Sequence, residues 1–198
     1  MSKEGCSIEV FATQLRGRIA EGKRNAQEDF EALSRKLNIE ISSLLAEQMA
    51  KERGMWMDVS AFSSQWTPMP SGVENDVYLS GDGNFIYKVN NLMTSKTVIG
   101  LFDRLICHNA LFPQTHYELF GFTGFGKGSV YPILRQDFIN YEREATPIEI
   151  DTYMSALGFE RIKEGAYRNK DFVVSDLHPR NVLRDNEGDI FVVDCNVN

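Results

Sequence analysis

Long apolar runs are missing from this chain. No stretch approaches the ~20 residues that a membrane-spanning helix needs, and the opening Met1-Ser2-Lys3-Glu4-Gly5-Cys6 lacks the apolar core of a secretory leader. These absences predict a cytoplasmic protein with no membrane partner. Cysteine is scarce: Cys6, Cys107 and Cys195 are odd in number and far apart, which excludes a disulfide framework and a zinc spacing. Basic runs are also absent. With 21 Lys and Arg against 28 Asp and Glu, the formal charge is −7, and there is no specific nucleic-acid signal. What is present is 198 residues, 42% hydrophobic and 25% charged, enough for one cored domain with a helical appendage.

From about Ile8 to Arg53 the apolar spacing is helical. Ile8, Phe11, Leu15 and Ile19 share one face, and Phe30, Leu33, Leu37 and Ile41 continue it. Gly17, Gly22 and Asn38 are expected to divide this prefix (1–55) into two or three segments. Residues 56–71, with Trp56, Trp66, Pro68 and Pro70 among serines, read as an ordered connector whose tryptophans pack rather than stack on a ligand.

Strand signals begin after Gly72. Asp76 to Leu79 and Phe85 to Val89 flank Ser80-Gly81-Asp82-Gly83-Asn84, a hairpin. Thr94 to Asn109 predicts a helix capped by Thr94 or Ser95, with Val98, Leu101, Leu105 and Ile106 inward. Tyr117 to Phe125 and Val130 to Ile139 predict a second antiparallel pair. Thr146-Pro147 opens a short helix ending near Gly158. The order is α+β, not a βα repeat.

The densest chemistry lies near the end. Strands are expected at Phe172 to Val174, Asn181 to Arg184 and Asp189 to Asp194, with Ser175-Asp176-Leu177-His178-Pro179-Arg180-Asn181 looping between the first two. Asp176, Asn181 and Asp194 are all oxygen donors for a hard cation, the set that a magnesium–phosphate site requires. Taken singly, each has a plainer reading: Asp176 as a turn residue, Lys88 as a solvated strand end, His178, His108 and His116 as structural histidines. Order and spacing together carry more than any one of them.

That order resembles the protein-kinase-like superfamily. Asp176-Leu177-His178-Pro179-Arg180-Asn181 is similar to its catalytic loop, with Asp194 thirteen residues after Asn181. His178 is more like the aminoglycoside and choline phosphotransferase branch. Gly72-Val73-Glu74-Asn75-Asp76-Val77-Tyr78 resembles a reduced glycine-rich loop, and Ile86-Tyr87-Lys88 the strand bearing the phosphate-binding lysine. The combination is similar to kinase-like domains of polyvalent proteins in phage and mobile elements, over roughly Gly72 to Asp194.

The resemblance implies a minimal kinase-like fold, with an antiparallel small lobe and hinge (72–139) and a reduced C-terminal lobe (140–198); the helical prefix lies outside it. The prefix is expected to cover apolar surface of the C-terminal lobe. It also implies ATP and Mg²⁺ as cofactors. Asp176 would act as base, with His178 beside it contacting phosphate or organising the loop. Asn181 and Asp194 would be metal ligands, and Lys88 would pair with the phosphates. Backbone amides from Gly72 through Asn75 to Val77 would cover the phosphates, while Gln136 and Phe138 would lie at the hinge facing adenine. In place of a helix glutamate for Lys88 the chain offers Asp103, Glu74 or Glu118. The chain ends four residues after Asp194, so no activation segment is expected.

Two function classes follow. One is a phosphotransferase acting on a hydroxyl of an unknown protein or small molecule. The other is a catalytically inactive module that binds nucleotide or a partner. The second draws on Val174-Ser175 before Asp176 and Cys195-Asn196 after Asp194, where related enzymes carry other residues.

Overall fold

The computed structural model describes residues 7–25, 35–58, 60, 62–126 and 128–198. Phe30 and Leu33 of the expected prefix face lie outside them, as does Cys6. The chain divides into two units, residues 1–103 with 117–136 and residues 104–116 with 137–198.

In the first unit, α1 (Ile8–Asn25) and α2 (Arg35–Glu52) form the prefix. Neither Gly17 and Gly22 in α1 nor Asn38 in α2 interrupts its helix, a correction to the expected segmentation. A helical glycine costs only about 1 kcal/mol, and packing of one face supplies more. That face is Ile8, Phe11, Ala12 and Leu15 in α1 and Ala46, Met49 and Ala50 in α2, all buried. Phe11 meets Phe102 edge-on at 5.9 Å and Phe122 at 4.8 Å. The prefix thus packs on Phe102 and Phe122 of its own unit.

After the short α3 (Phe62–Gln65) comes a five-stranded antiparallel sheet. Its strands are β1 (Trp66–Pro68), β2 (Asn75–Ser80), β3 (Phe85–Asn90), β4 (Glu118–Thr123) and β5 (Tyr131–Asp137), in the order β1-β2-β3-β5-β4. The supposed connector thus supplies an edge strand, where Pro68 is tolerated because one side needs no ladder donor. Trp66 is buried there and stacks on Tyr87 at 3.9 Å, the packing role anticipated for it. At the other edge Met57 donates to the Phe122 carbonyl (2.8 Å), and the Phe122 amide donates to that of Met55 (2.9 Å). Gly121 permits this approach: a Cβ there would lie 2.7 Å from the Met55 oxygen. The β2–β3 hairpin forms as expected, with Gly83 at φ +75° and Asp82 accepting from Ser80 and from the Asn84 amide.

Helix α4 (Val98–Leu111) starts four residues later than the spacing suggested. Thr97, not Thr94 or Ser95, caps it, accepting from the Gly100 amide at 3.0 Å, and Lys96 just before is left-handed (φ +62°). Val98, Leu101 and Leu105 are buried as anticipated, whereas Ile106 is half-buried.

The second unit contains β6 (Arg143–Glu144), α5 (Pro147–Ala156), β7 (Glu160–Lys163), β8 (Ala166–Arg168), β9 (Val173–Ser175), β10 (Val182–Arg184), β11 (Ile190–Val192) and β12 (Asn196–Val197). They make a three-stranded sheet β11-β10-β6 and a four-stranded sheet β12-β9-β8-β7. Both pack around Phe112, Ile150, Met154, Tyr167, Val174, Leu177 and Val192. Helix α5 carries a full capping box: Thr146 accepts from the Glu149 amide, and the Glu149 carboxylate accepts from the Thr146 amide at 2.8 Å. The architecture is the expected α+β kinase-like one, with antiparallel sheets and a helical N-terminal segment.

Candidate active site

The loop between β9 and β10 is built by local hydrogen bonds. Leu177 donates its amide to the Gly165 carbonyl (3.0 Å), which ties the loop to the β7–β8 turn. Gly165 is left-handed (φ +67°), and a Cβ on it would lie 3.0 Å from the Leu177 oxygen. A short 3-10 turn, Pro179–Asn181, then leads into β10, with the Asn181 amide donating to the His178 carbonyl at 2.8 Å. Asp176 itself sits at φ +67°. Few non-glycine residues adopt this conformation, Asp and Asn more readily than most, and such strain gathers at functional sites.

Three of the anticipated residues come together here. Asn181 Nδ2 donates to the Asp176 carbonyl at 2.9 Å and lies 3.4 Å from its carboxylate. The same nitrogen is 3.3 Å from His178 Nε2, which lies 3.5 Å from Asp176 Oδ1. An unprotonated Nε2 accepts from Asn181; a protonated one faces the carboxylate. Asp176 is exposed, whereas His178 and Asn181 are half-buried or nearly so.

The residue before Asp194 hydrogen-bonds to the loop. The Val193 amide donates to the Asn181 carbonyl at 2.9 Å, just beyond the β10–β11 ladder that pairs Val182 with Val192. The half-buried Asp194 carboxylate has no hydrogen bond or ion pair to a described residue, and Asn181 Oδ1 accepts none. Their chemistry fits Mg²⁺, which takes one or two protein oxygens and completes its shell with phosphate and water. No group of three or more His, Cys, Asp or Glu side chains suited to a metal occurs among the described residues.

Two networks brace this loop. Arg143 on β6 grips Glu149 with two nitrogens (2.8 and 2.6 Å), and Arg184 on β10 reaches Glu142 (2.9 Å) and Glu149 (3.3 Å). The Arg143 bonds, then those from Thr146, hold the Glu149 carboxyl far below the ordinary carboxylate range. From the other side Thr115 donates to the Val192 carbonyl (2.6 Å), Arg104 to Asn196 (2.7 Å), and buried His108 lies 3.4 Å from Cys195 Sγ. His108 also lies 3.2 Å from the Thr115 carbonyl oxygen.

A cleft of about 390 Å³ opens beside the loop, lined by Asp176, His178, Leu177, Tyr167, Asp151 and Arg161 among others. Tyr167 donates to Asp151 at 2.6 Å, and Arg161 pairs with the other Asp151 oxygen at 3.1 Å. Burial, then the hydrogen bond to Asp151, raises the Tyr167 phenol well above its usual value. β7, one strand of the hairpin that forms this wall, was not anticipated.

In the first unit, Lys88 on β3 is buried, and its ammonium donates to the Tyr117 hydroxyl at 2.7 Å. Of the acids considered beside it, Asp103 is engaged by Arg16 of α1 and Glu118 by Arg135, while Glu74 accepts from Asn90 at 3.3 Å. Gly72 lies in an exposed stretch before β2. Asn75 accepts from Asn90 at 2.8 Å, and the Val77 amide donates to Ser71 Oγ at 3.0 Å. Gln136 is buried near the end of β5, and Phe138, just after it, is 36% exposed.

The α+β fold, with its antiparallel sheets and helical N-terminal segment, is that of a small kinase-like domain. The profile of a family described as serine/threonine/tyrosine kinases found in polyvalent proteins matches residues 41–198, and the chain belongs to that family. The match begins inside α2, earlier than the Gly72 boundary suggested by the motifs. A search of curated proteins found no match. No helix among the described residues is long and apolar enough to cross a membrane.

Proposed function

We propose that the protein transfers the γ-phosphoryl group of ATP to a hydroxyl in a Mg²⁺-dependent reaction. The observation that carries this reading is the hydrogen bond from the Val193 amide to the Asn181 carbonyl at 2.9 Å, which supports assigning Asn181 and Asp194 to one metal site. When bound, Mg²⁺ would neutralise charge on the nucleotide phosphates, with Asn181 and Asp194 holding it. Asp176 would orient the acceptor hydroxyl and take its proton as the acceptor oxygen bonds to the γ-phosphorus and the bond to the β-phosphate oxygen breaks, releasing ADP. His178 would hold Asn181 and Asp176 in place. Lys88 would pair with the phosphates, the loop from Gly72 through Asn75 to Val77 would cover them, and Gln136 and Phe138 would offer backbone groups to adenine. The cleft flanked by Asp176 and Arg161 supports entry of a small hydroxyl compound, in the volume range of metabolite pockets. A cytoplasmic setting, where ATP and Mg²⁺ are plentiful, suits this chemistry.

The test is a thermal-shift titration with ATP, with and without Mg²⁺, paired with transfer of labelled γ-phosphate. A Mg²⁺-dependent rise in Tm together with transfer supports the reading. A rise without transfer or ATP turnover points instead to a nucleotide-binding module, and no rise rejects both.

A further inference from the structure

We propose that Tyr117 is the positioning residue for Lys88, setting where its ammonium meets a nucleotide phosphate. This rests on the reading above and deepens it. Tyr117, just before β4, is 2% exposed and Lys88 is 9% exposed, so water contributes little to either side chain. Lys88 Nζ donates to the Tyr117 hydroxyl at 2.7 Å and also sits 4.8 Å from the centre of the Tyr117 ring. The two contacts act differently on the same cation. The ring face attracts the charge without directing it, whereas the hydroxyl fixes one of the three N–H directions. The hydroxyl is neutral, so this contact orients the ammonium without itself cancelling the charge that draws phosphate oxygens. A lysine side chain is long and flexible, so holding it beforehand spares the ordering cost that binding would otherwise carry.

The neighbouring contacts show why this residue, and not an acid on α4, was missed in the sequence. Asp103, the acid of α4, is committed to Arg16 of the prefix, and Glu118, next to Tyr117, is committed to Arg135. A tyrosine at a strand entry has no motif that marks it; only the pairing of β3 and β4 on either side of β5 brings it to Lys88.

The experiment is a double-mutant cycle on the full chain with Tyr117→Phe, Lys88→Met and the pair, read by calorimetric binding of ATP with Mg²⁺ and of adenosine. Tyr117→Phe keeps the ring and removes only the hydroxyl. It is expected to weaken ATP binding about tenfold, the equivalent of ~1.4 kcal/mol, and to leave adenosine binding unchanged. Combined with Lys88→Met, the same substitution should have no further effect on ATP. Tyr117→Phe should also raise labelling of Lys88 by an amine-reactive reagent in the nucleotide-free protein, a readout independent of turnover. An equal loss for adenosine, an undiminished effect when Lys88→Met is already present, or unchanged ATP affinity and labelling each overturns the proposal. Failure of the wild-type protein to bind ATP at all would instead overturn the functional reading.

Discussion

The amide of Val193 donates to the carbonyl of Asn181 at 2.9 Å, and this one bond closes the hairpin that separates Asn181 from Asp194. The hairpin is itself well specified. Asp185 accepts from the amides of Glu187 (3.0 Å) and Asp189 (2.9 Å), and Gly188 takes φ +96°.

Because the Asp194 carboxylate has no partner among the described residues, Asp194→Asn should leave the Tm of the nucleotide-free protein within about 2 °C, as surface-like substitutions usually stay within ~0.5 kcal/mol. The Mg²⁺-dependent part of the ATP shift should disappear. Differential scanning fluorimetry with ATP, with and without Mg²⁺, reads both. A full shift in the variant would remove Asp194 from the metal site.

Asp176→Asn keeps the left-handed backbone accessible and keeps the carbonyl that accepts from Asn181. The expected result is a folded protein that still binds ATP but transfers phosphate about 10²–10⁴-fold more slowly, the usual worth of a positioned base. Single-turnover transfer alongside ATP binding separates the two effects. Retained transfer would mean that Asp176 carries no proton.

Gly165→Ala should destabilise the protein by about 1–3 kcal/mol, the cost of a strained backbone conformation, because φ is +67° and the new Cβ meets the Leu177 oxygen at 3.0 Å. Since the Leu177 amide's bond to the Gly165 carbonyl holds the Asp176 loop, transfer should fall more than ATP affinity does. Urea unfolding gives the stability change, and equal falls in transfer and affinity would argue against loop displacement.

Thr146→Ala removes the cap of α5 and should cost ~1 kcal/mol. Glu149 adds a pH dependence. Its carboxyl is held below the ordinary value of 4.5, first by Arg143 and then by Thr146, so the stability it contributes is present in full above that value. It is lost as pH falls below 4.5 and the carboxylate protonates. Glu149→Gln should therefore lower Tm at neutral pH and flatten the acid limb of a Tm-against-pH profile. An unchanged acid limb would sink this account.

Strand and helix identity, the α+β order and the Asp176–Asn181–Asp194 spacing were legible from the residues alone. Alternation at Phe85 to Val89, the Thr146-Pro147 cap and the Asp185–Gly188 turn are local signals, set by side-chain periodicity and backbone preference within a few residues. Other features were beyond such signals. The strand Glu160–Lys163 is exposed at all four positions, so no alternation marks it and only pairing with β8 makes it a strand. Propensity at Gly17, Gly22 and Asn38 favours breaks, and the buried face of each helix overrides it. The start of α4 moved because Thr97 sits where its hydroxyl meets the Gly100 amide.

The sequence by itself therefore determined which residues carry oxygen, charge and turn geometry, and in what order, because these are properties of single side chains and short windows. Tertiary structure alone decided who meets whom. Tyr117 reaches Lys88 across a sheet, Arg16 claims Asp103 from another helix, and the Val193 amide finds the Asn181 carbonyl, since hydrogen-bond partners are chosen by distance in space and not along the chain.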